Sequence, residues 1–84
     1  MIKIYSTKWC APCKAAKALL DSLGYSYEVV DIEERNITRE QMLKETGGLT
    51  VPQIIINGDN IGGFDSLRVL VDNGELKEKV ANVS

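Results

Sequence analysis

The sequence has no histidine, only two cysteines and only two prolines. A structural zinc site usually takes four ligands, and two cysteines without histidine leave too few, so no metal site is expected. No apolar run approaches the roughly 20 residues that span a bilayer. No membrane partner is therefore expected. Neither sign of charge dominates: 10 Lys and Arg stand against 12 Asp and Glu, a net charge of -2. That balance argues against general affinity for nucleic acid or anionic membranes. No linker, internal repeat or low-complexity stretch breaks the 84 residues, so one domain over 1–84, acting as a monomer, is expected. The chain starts directly on a strand pattern and not on a signal peptide. The expected location is cytoplasmic, a reducing compartment in which a cysteine pair is more often catalytic than structural.

The two cysteines stand together, in Trp9-Cys10-Ala11-Pro12-Cys13-Lys14. Ile2 to Tyr5 reads as a strand before them and Lys14 to Leu23 as a helix after them. A Cys-x-x-Cys at a strand-to-helix junction is a thioredoxin-like redox signature. Residues i and i+3 share a helix face, so the two sulfurs come within disulfide reach. Cys10 falls at the helix N-terminus, where unpaired N–H groups and the helix dipole favour negative charge. Thiolate, the nucleophilic form, is favoured there, and such sites lower a cysteine pKa to roughly 3.5–7.5 from about 8.5. Lys8 and Lys14 add positive charge. Pro12 suits a first helical turn, where a missing N–H costs little. A purely structural disulfide closing so short a loop would add little stability.

Ile2 and Ile4 share one face of the first strand. Ala16, Leu19, Leu20 and Leu23 then form a helical stripe, and Gly24 is a suitable stop. Tyr25 to Val30 reads as a second strand, parallel to the first with a right-handed crossover. Asp31 to Glu34 reads as an acidic, solvated connection. Asn36 is placed to cap a second helix running to about Thr46, which Gly47-Gly48 ends. Asn36-Ile37-Thr38 matches a glycosylation sequon by chance. Gln53 to Ile56 reads as a strand, Asn57-Gly58-Asp59-Asn60 as a hairpin turn and Ile61 as a short return strand. Gly62-Gly63 marks a bend. Asp65-Ser66 can cap a third helix with Leu67, Leu70 and Val71 inward. Asn73-Gly74 breaks it, Leu76 and Val80 suggest a last short helix, and the tail after Ala81 is expected to fray. Tyr5 reads as core, and Trp9 as a cover over part of the thiol site. Together these elements predict a mixed four-stranded sheet covered by helices.

Three separated segments, Cys10-x-x-Cys13, Thr50-Val51-Pro52 and Gly62-Gly63-Phe64-Asp65, resemble the signature segments of glutaredoxins over nearly the whole chain. The resemblance implies an α/β thioredoxin fold: a four-stranded mixed sheet, order 2-1-3-4, with helices on both faces. It implies a cis Val51–Pro52 bond, with the Val51 N–H and C=O free to pair with a substrate backbone. It makes glutathione the reducing co-substrate, with no tightly bound cofactor. Thr50, Val51 and Pro52 would line its cysteine part. Backbone N–H groups near Gly63, Phe64 and Asp65 would meet its glutamyl carboxylate, and the Asp65 side chain its amine. Lys8 and Arg39 match positions that hold the glycyl carboxylate. Asp65 equally suits a plain N-cap, and Lys8 and Arg39 equally suit solvated charges.

The resemblance thus implies a dithiol oxidoreductase that reduces disulfide-containing or glutathionylated proteins, with Cys10 as nucleophile and Cys13 as resolving thiol. Two departures keep other readings open. Ala11-Pro12 stands where dithiol glutaredoxins carry Pro-Tyr, and Trp9 before the pair resembles thioredoxins. A glutaredoxin-like redoxin recycled by thioredoxin reductase, with ribonucleotide reductase as partner, is the second reading. An iron–sulfur cluster carrier, coloured as isolated, is a third of a different class.

Overall fold

The computed structural model describes residues 1–81. The expected fraying after Ala81 falls on residues outside these. Four strands and four helices follow in the order β1 (Ile2–Ser6), α1 (Ala11–Ser22), β2 (Glu28–Asp31), α2 (Arg39–Thr46), β3 (Gln53–Ile56), β4 (Asp59–Gly62), α3 (Phe64–Asp72) and α4 (Glu75–Ala81). The sheet order is β2-β1-β3-β4. β1 runs parallel to β2 and antiparallel to β3, which forms the hairpin with β4. The predicted mixed sheet and its order are therefore observed. Among the described residues no helix is long and apolar enough to cross a membrane.

Strand alternation divides the interior in two. Ile2, Ile4, Ile54 and Ile56 point to one face and pack with Ala16 and Leu20 of α1, Leu67 of α3 and Leu76 of α4. Tyr5, Val30, Ile32 and Met42 of α2 fill the other face, with Val51 and Ile55 partly buried against them. Helices therefore cover both faces, and the site must lie where β1 ends and α1 begins.

The helix α1 starts earlier than the sequence suggests, at Ala11, with Cys10 as its N-cap and Pro12 in its first turn. It ends in a Schellman closure: Tyr25 N–H bonds the Leu20 carbonyl at 3.0 Å and Gly24 N–H bonds Asp21 at 3.1 Å, with Gly24 at φ 80°. Leu23, expected inside, is the C-cap and is 45% exposed. The same closure shortens the second strand, which begins at Glu28 and not at Tyr25. Tyr25 and Tyr27 instead pack against the larger core.

The second helix corrects another expectation. Asn36 is not its cap but takes a left-handed φ of 55°. Thr38 caps it, receiving the Gln41 N–H at 3.0 Å, while the Gln41 side chain accepts the Thr38 N–H at 2.8 Å. This reciprocal pair is a capping box. The hairpin turn is tighter than expected. Asn57 and Gly58 alone form it, at φ 49° and 89°, the two positive angles of a type I′ turn. Asp59 and Asn60 belong to β4. Register then shifts between Ile54, opposite Gly62, and Ile55, opposite Asn60. This bulge turns Gly62 toward α3. Finally, Asp65-Ser66 does not cap α3. Gly63 is the N-cap and makes no side-chain bond, leaving Asp65 in the first turn.

Candidate active site

Cys10 and Cys13 are joined in a disulfide, their Cα atoms 5.1 Å apart. Cys10 is 7% exposed and Cys13 fully buried, so Cys10 is the more accessible of the two. The Cys10 sulfur accepts the Cys13 N–H at 3.2 Å, doing for α1 what an N-cap hydroxyl does elsewhere. It also lies 3.6 Å from the Val51 carbonyl oxygen. That carbonyl precedes a cis Val51–Pro52 bond, as the resemblance implies. No intramolecular hydrogen bond to the Val51 N–H is found among the described residues.

A groove of about 600 Å³ runs alongside, lined by Ala11, Pro12 and Ala15 of α1, by Thr50, Val51 and Pro52, and by Gly63, Phe64, Asp65 and Ser66. It has two walls of exposed backbone. One is the edge at Val51. The other is the start of α3, where the N–H groups of the first turn lack a side-chain cap. Gly62 is needed between them. Its φ is 101°, and a Cβ there would stand 2.8 Å from the Ser66 hydroxyl.

Six predicted residues, Thr50, Val51, Pro52, Gly63, Phe64 and Asp65, thus meet in one groove. Cys10 adjoins it through Val51. Lys8 and Arg39 do not line it. Lys8 is exposed in the turn before Cys10, and the Arg39 guanidinium donates to the Leu49 carbonyl at 3.0 Å. Trp9, expected to cover the thiol, is 89% exposed and does not line the groove. Ala11, Pro12, Ala15 and Ser66 were not among the expected site residues. Ala11, Pro12 and Ser66 each stand one or two positions from an expected residue, and Ala15 shares a helix face with Ala11 and Pro12, four and three positions on.

A mixed sheet with a Cys-x-x-Cys pair at the mouth of its first helix, facing a cis-proline turn, defines a thioredoxin-fold protein equipped for thiol–disulfide chemistry. The glutaredoxin family model matches residues 2–61. "Glutaredoxin 3" of Escherichia coli K12 is 43% identical over 75 residues, covering 89% of this chain and 90% of that protein. Among solved structures, a buckwheat glutaredoxin–glutathione complex superposes with a TM-score of 0.85 at 30% identity, covering 95% of this chain and 76% of that one. A glutaredoxin from Brucella melitensis does so at 0.78 and 32%, covering 99% and 92%. The chain belongs to the glutaredoxin family. The family-model match stops just before Gly62-Gly63-Phe64-Asp65, one of the three segments that carry the resemblance.

Proposed function

We propose that this protein is a glutathione-dependent thiol–disulfide oxidoreductase that reduces protein disulfides and glutathione mixed disulfides. The observation that carries the reading is the seat of the Cys10 sulfur. It takes the Cys13 N–H at the mouth of α1 and lies beside the Val51 edge, next to a groove whose far wall is an uncapped helix start.

In the reduced protein the same N–H and the α1 dipole favour a thiolate at Cys10. That thiolate attacks one sulfur of the substrate disulfide. A new S–S bond forms, the old one breaks, and the second substrate sulfur leaves with the electron pair and takes a proton from water. With a protein disulfide, Cys13 then attacks Cys10, releasing the second substrate thiol and leaving Cys10–Cys13 oxidised. One glutathione reopens that disulfide at Cys10 and frees Cys13. A second, as thiolate, attacks the glutathione sulfur of the Cys10 mixed disulfide; that S–S bond breaks, glutathione disulfide leaves and Cys10 departs as the thiolate. With a glutathione mixed disulfide, the second glutathione resolves Cys10 directly.

The groove suits glutathione at both ends. The Val51 edge can pair with its cysteine unit. The N–H groups of Phe64 and Asp65 can take the glutamyl carboxylate, and the Asp65 carboxylate the neighbouring amine. Lys8 and Arg39 are offered as partners of the glycyl carboxylate, Arg39 after releasing Leu49. That a glutaredoxin of this fold was solved with glutathione supports the reading.

A second reading rests on Trp9. Its 89% exposure beside Cys10 offers an apolar contact for a protein reductase. Recycling of the oxidised protein separates the two, followed as NADPH consumption. One reaction contains glutathione with glutathione reductase, the other thioredoxin reductase. Turnover with glutathione is the expected result. Turnover with thioredoxin reductase alone would replace this reading with that of a redoxin serving a partner such as ribonucleotide reductase. In the glutathione reaction Cys10→Ser should abolish all transfer. Cys13→Ser should keep deglutathionylation and lose protein disulfide reduction.

A further inference from the structure

The two walls of the groove come from opposite ends of the β3–β4 hairpin. Thr50, Val51 and Pro52 precede β3, and Gly63 to Ser66 follow β4. Backbone pairing links them beyond the bulge at Ile54/Ile55 through Ile54 opposite Gly62, and side chains add a second link. Two side-chain amides form it. The Gln53 amide is 6% exposed at the start of β3. Its Nε2 donates to the Thr50 carbonyl at 2.7 Å. Its Oε1 accepts from Asn60 Nδ2 at 2.9 Å. Asn60 Oδ1 in turn accepts the Gly62 N–H at 2.7 Å. The connection runs unbroken from Thr50, next to the Val51 edge, to Gly62, next to the N-cap of α3. Asn60 Nδ2 also donates to the Thr46 carbonyl at the end of α2.

We propose that Asn60 is a positioning residue that ties the two walls together through Gln53 and so sets the groove for a ligand that must touch both at once. This rests on the reading of the groove as the glutathione site. The chemistry singles out asparagine. One planar side chain must accept a backbone N–H on one side and donate to a buried amide oxygen on the other. Aspartate keeps the first and loses the second, placing its own oxygen against Gln53 Oε1. Gln53 cannot turn its amide over to compensate without directing an oxygen at the Thr50 carbonyl. The chain before it is shaped to the same purpose. A Cβ on Gly48 would fall inside the Gln53 amide, so a residue without a side chain is needed there. Asn60 has no role in the disulfide exchange and touches no reacting sulfur.

The test uses Asn60→Ala, Asn60→Asp and Gln53→Met in the whole protein, with two readouts. Amide NMR shifts of the ligand-free protein report the walls directly. Asn60→Ala should move the Val51 signal and those of Gly62 to Asp65. Asn60→Asp and Gln53→Met should move Val51 and leave Gly63 to Asp65 in place. Steady-state kinetics with a glutathionylated peptide report the consequence. KM should rise roughly tenfold in Asn60→Ala, the scale of one or two lost net hydrogen bonds, with kcat within about twofold. Shifts in Asn60→Ala confined to the Gly62 side, or an unchanged KM, would overturn the proposal. So would a kcat loss at constant KM. Absence of glutathione turnover in the unmutated protein would refute the functional reading instead, while the amide shifts would still judge the tie.

Discussion

Burial and charge act in the same direction on Tyr5. Its phenol is pushed up from 10.0 first by burial, then by the Glu45 carboxylate, which also hydrogen-bonds it, and by Glu28, with Arg35 opposing. Tyr27 shifts the same way, from burial and Asp21. A raised folded value means that the unfolded chain ionises first. The stability these tyrosines contribute is therefore complete below the unfolded value near 10 and is lost as pH rises through the folded one. The expected outcome is that Tyr5→Phe loses less stability than the unmutated protein between about pH 8 and about pH 11. Urea midpoints at the two pH values check it, and a parallel fall in both proteins would refute the assignment. Tyr5 was legible as core because it alternates with Ile4 along β1. The Gln53–Asn60 tie was not legible. Its partners are brought together by a bulge, and in sequence Asn60 reads as one more polar residue of a turn.

Elements were legible where one local signal acted alone and misread where two competed. The stripe of Ala16, Leu19 and Leu20 specified α1 unopposed. At α2, Asn36 and Thr38 both offer cap chemistry. Thr38 wins because Gln41 stands three residues on and completes the box, while Asn36 closes the preceding turn with the left-handed φ that asparagine tolerates. At β2, the aromatic residues Tyr25 and Tyr27 favour strand by propensity, but the Schellman closure commits Tyr25 to Leu20 before pairing can begin. The cap at Thr38 matters more than most because α2 is short and buries only Met42 and Thr46. Thr38→Ala should cost about 1 kcal/mol, or roughly 4–8 °C in Tm for a chain of this size. Asn36→Ala should not reproduce that loss through α2. Thermal melts of the two variants decide it, and equal destabilisation with equal loss of α2 helicity would restore Asn36 as the cap.

The whole molecule is unevenly secured, and the uneven part adjoins the site. Three helices close over the larger core, whereas α2 alone covers the smaller one, with Met42 as its only buried apolar side chain. Yet α2 holds the loop that carries Val51. Arg39 binds the Leu49 carbonyl, the Thr46 hydroxyl receives the Gly48 N–H at 3.2 Å, and the Thr46 carbonyl takes Asn60. Opening α2 therefore releases the Leu49–Val51 loop, while β1, β3 and α1 can stay in place. Local unfolding free energies follow buried contact, so α2 should open below the global transition. In native-state hydrogen exchange, the α2 amides should exchange through a sub-global opening that the α1 amides around Ala16 and Leu20 do not share. Met42→Ala removes the one apolar anchor, a loss on the order of 2–5 kcal/mol if the cavity does not collapse. It should lower α2 protection further and raise KM for a glutathionylated peptide, because the Val51 wall then loses the support that α2 supplies. If the α1 and α2 amides instead exchange at one common free energy, the two cores open together. The loop would then be as firmly held as the sheet, and the coupling of α2 to the site would be lost.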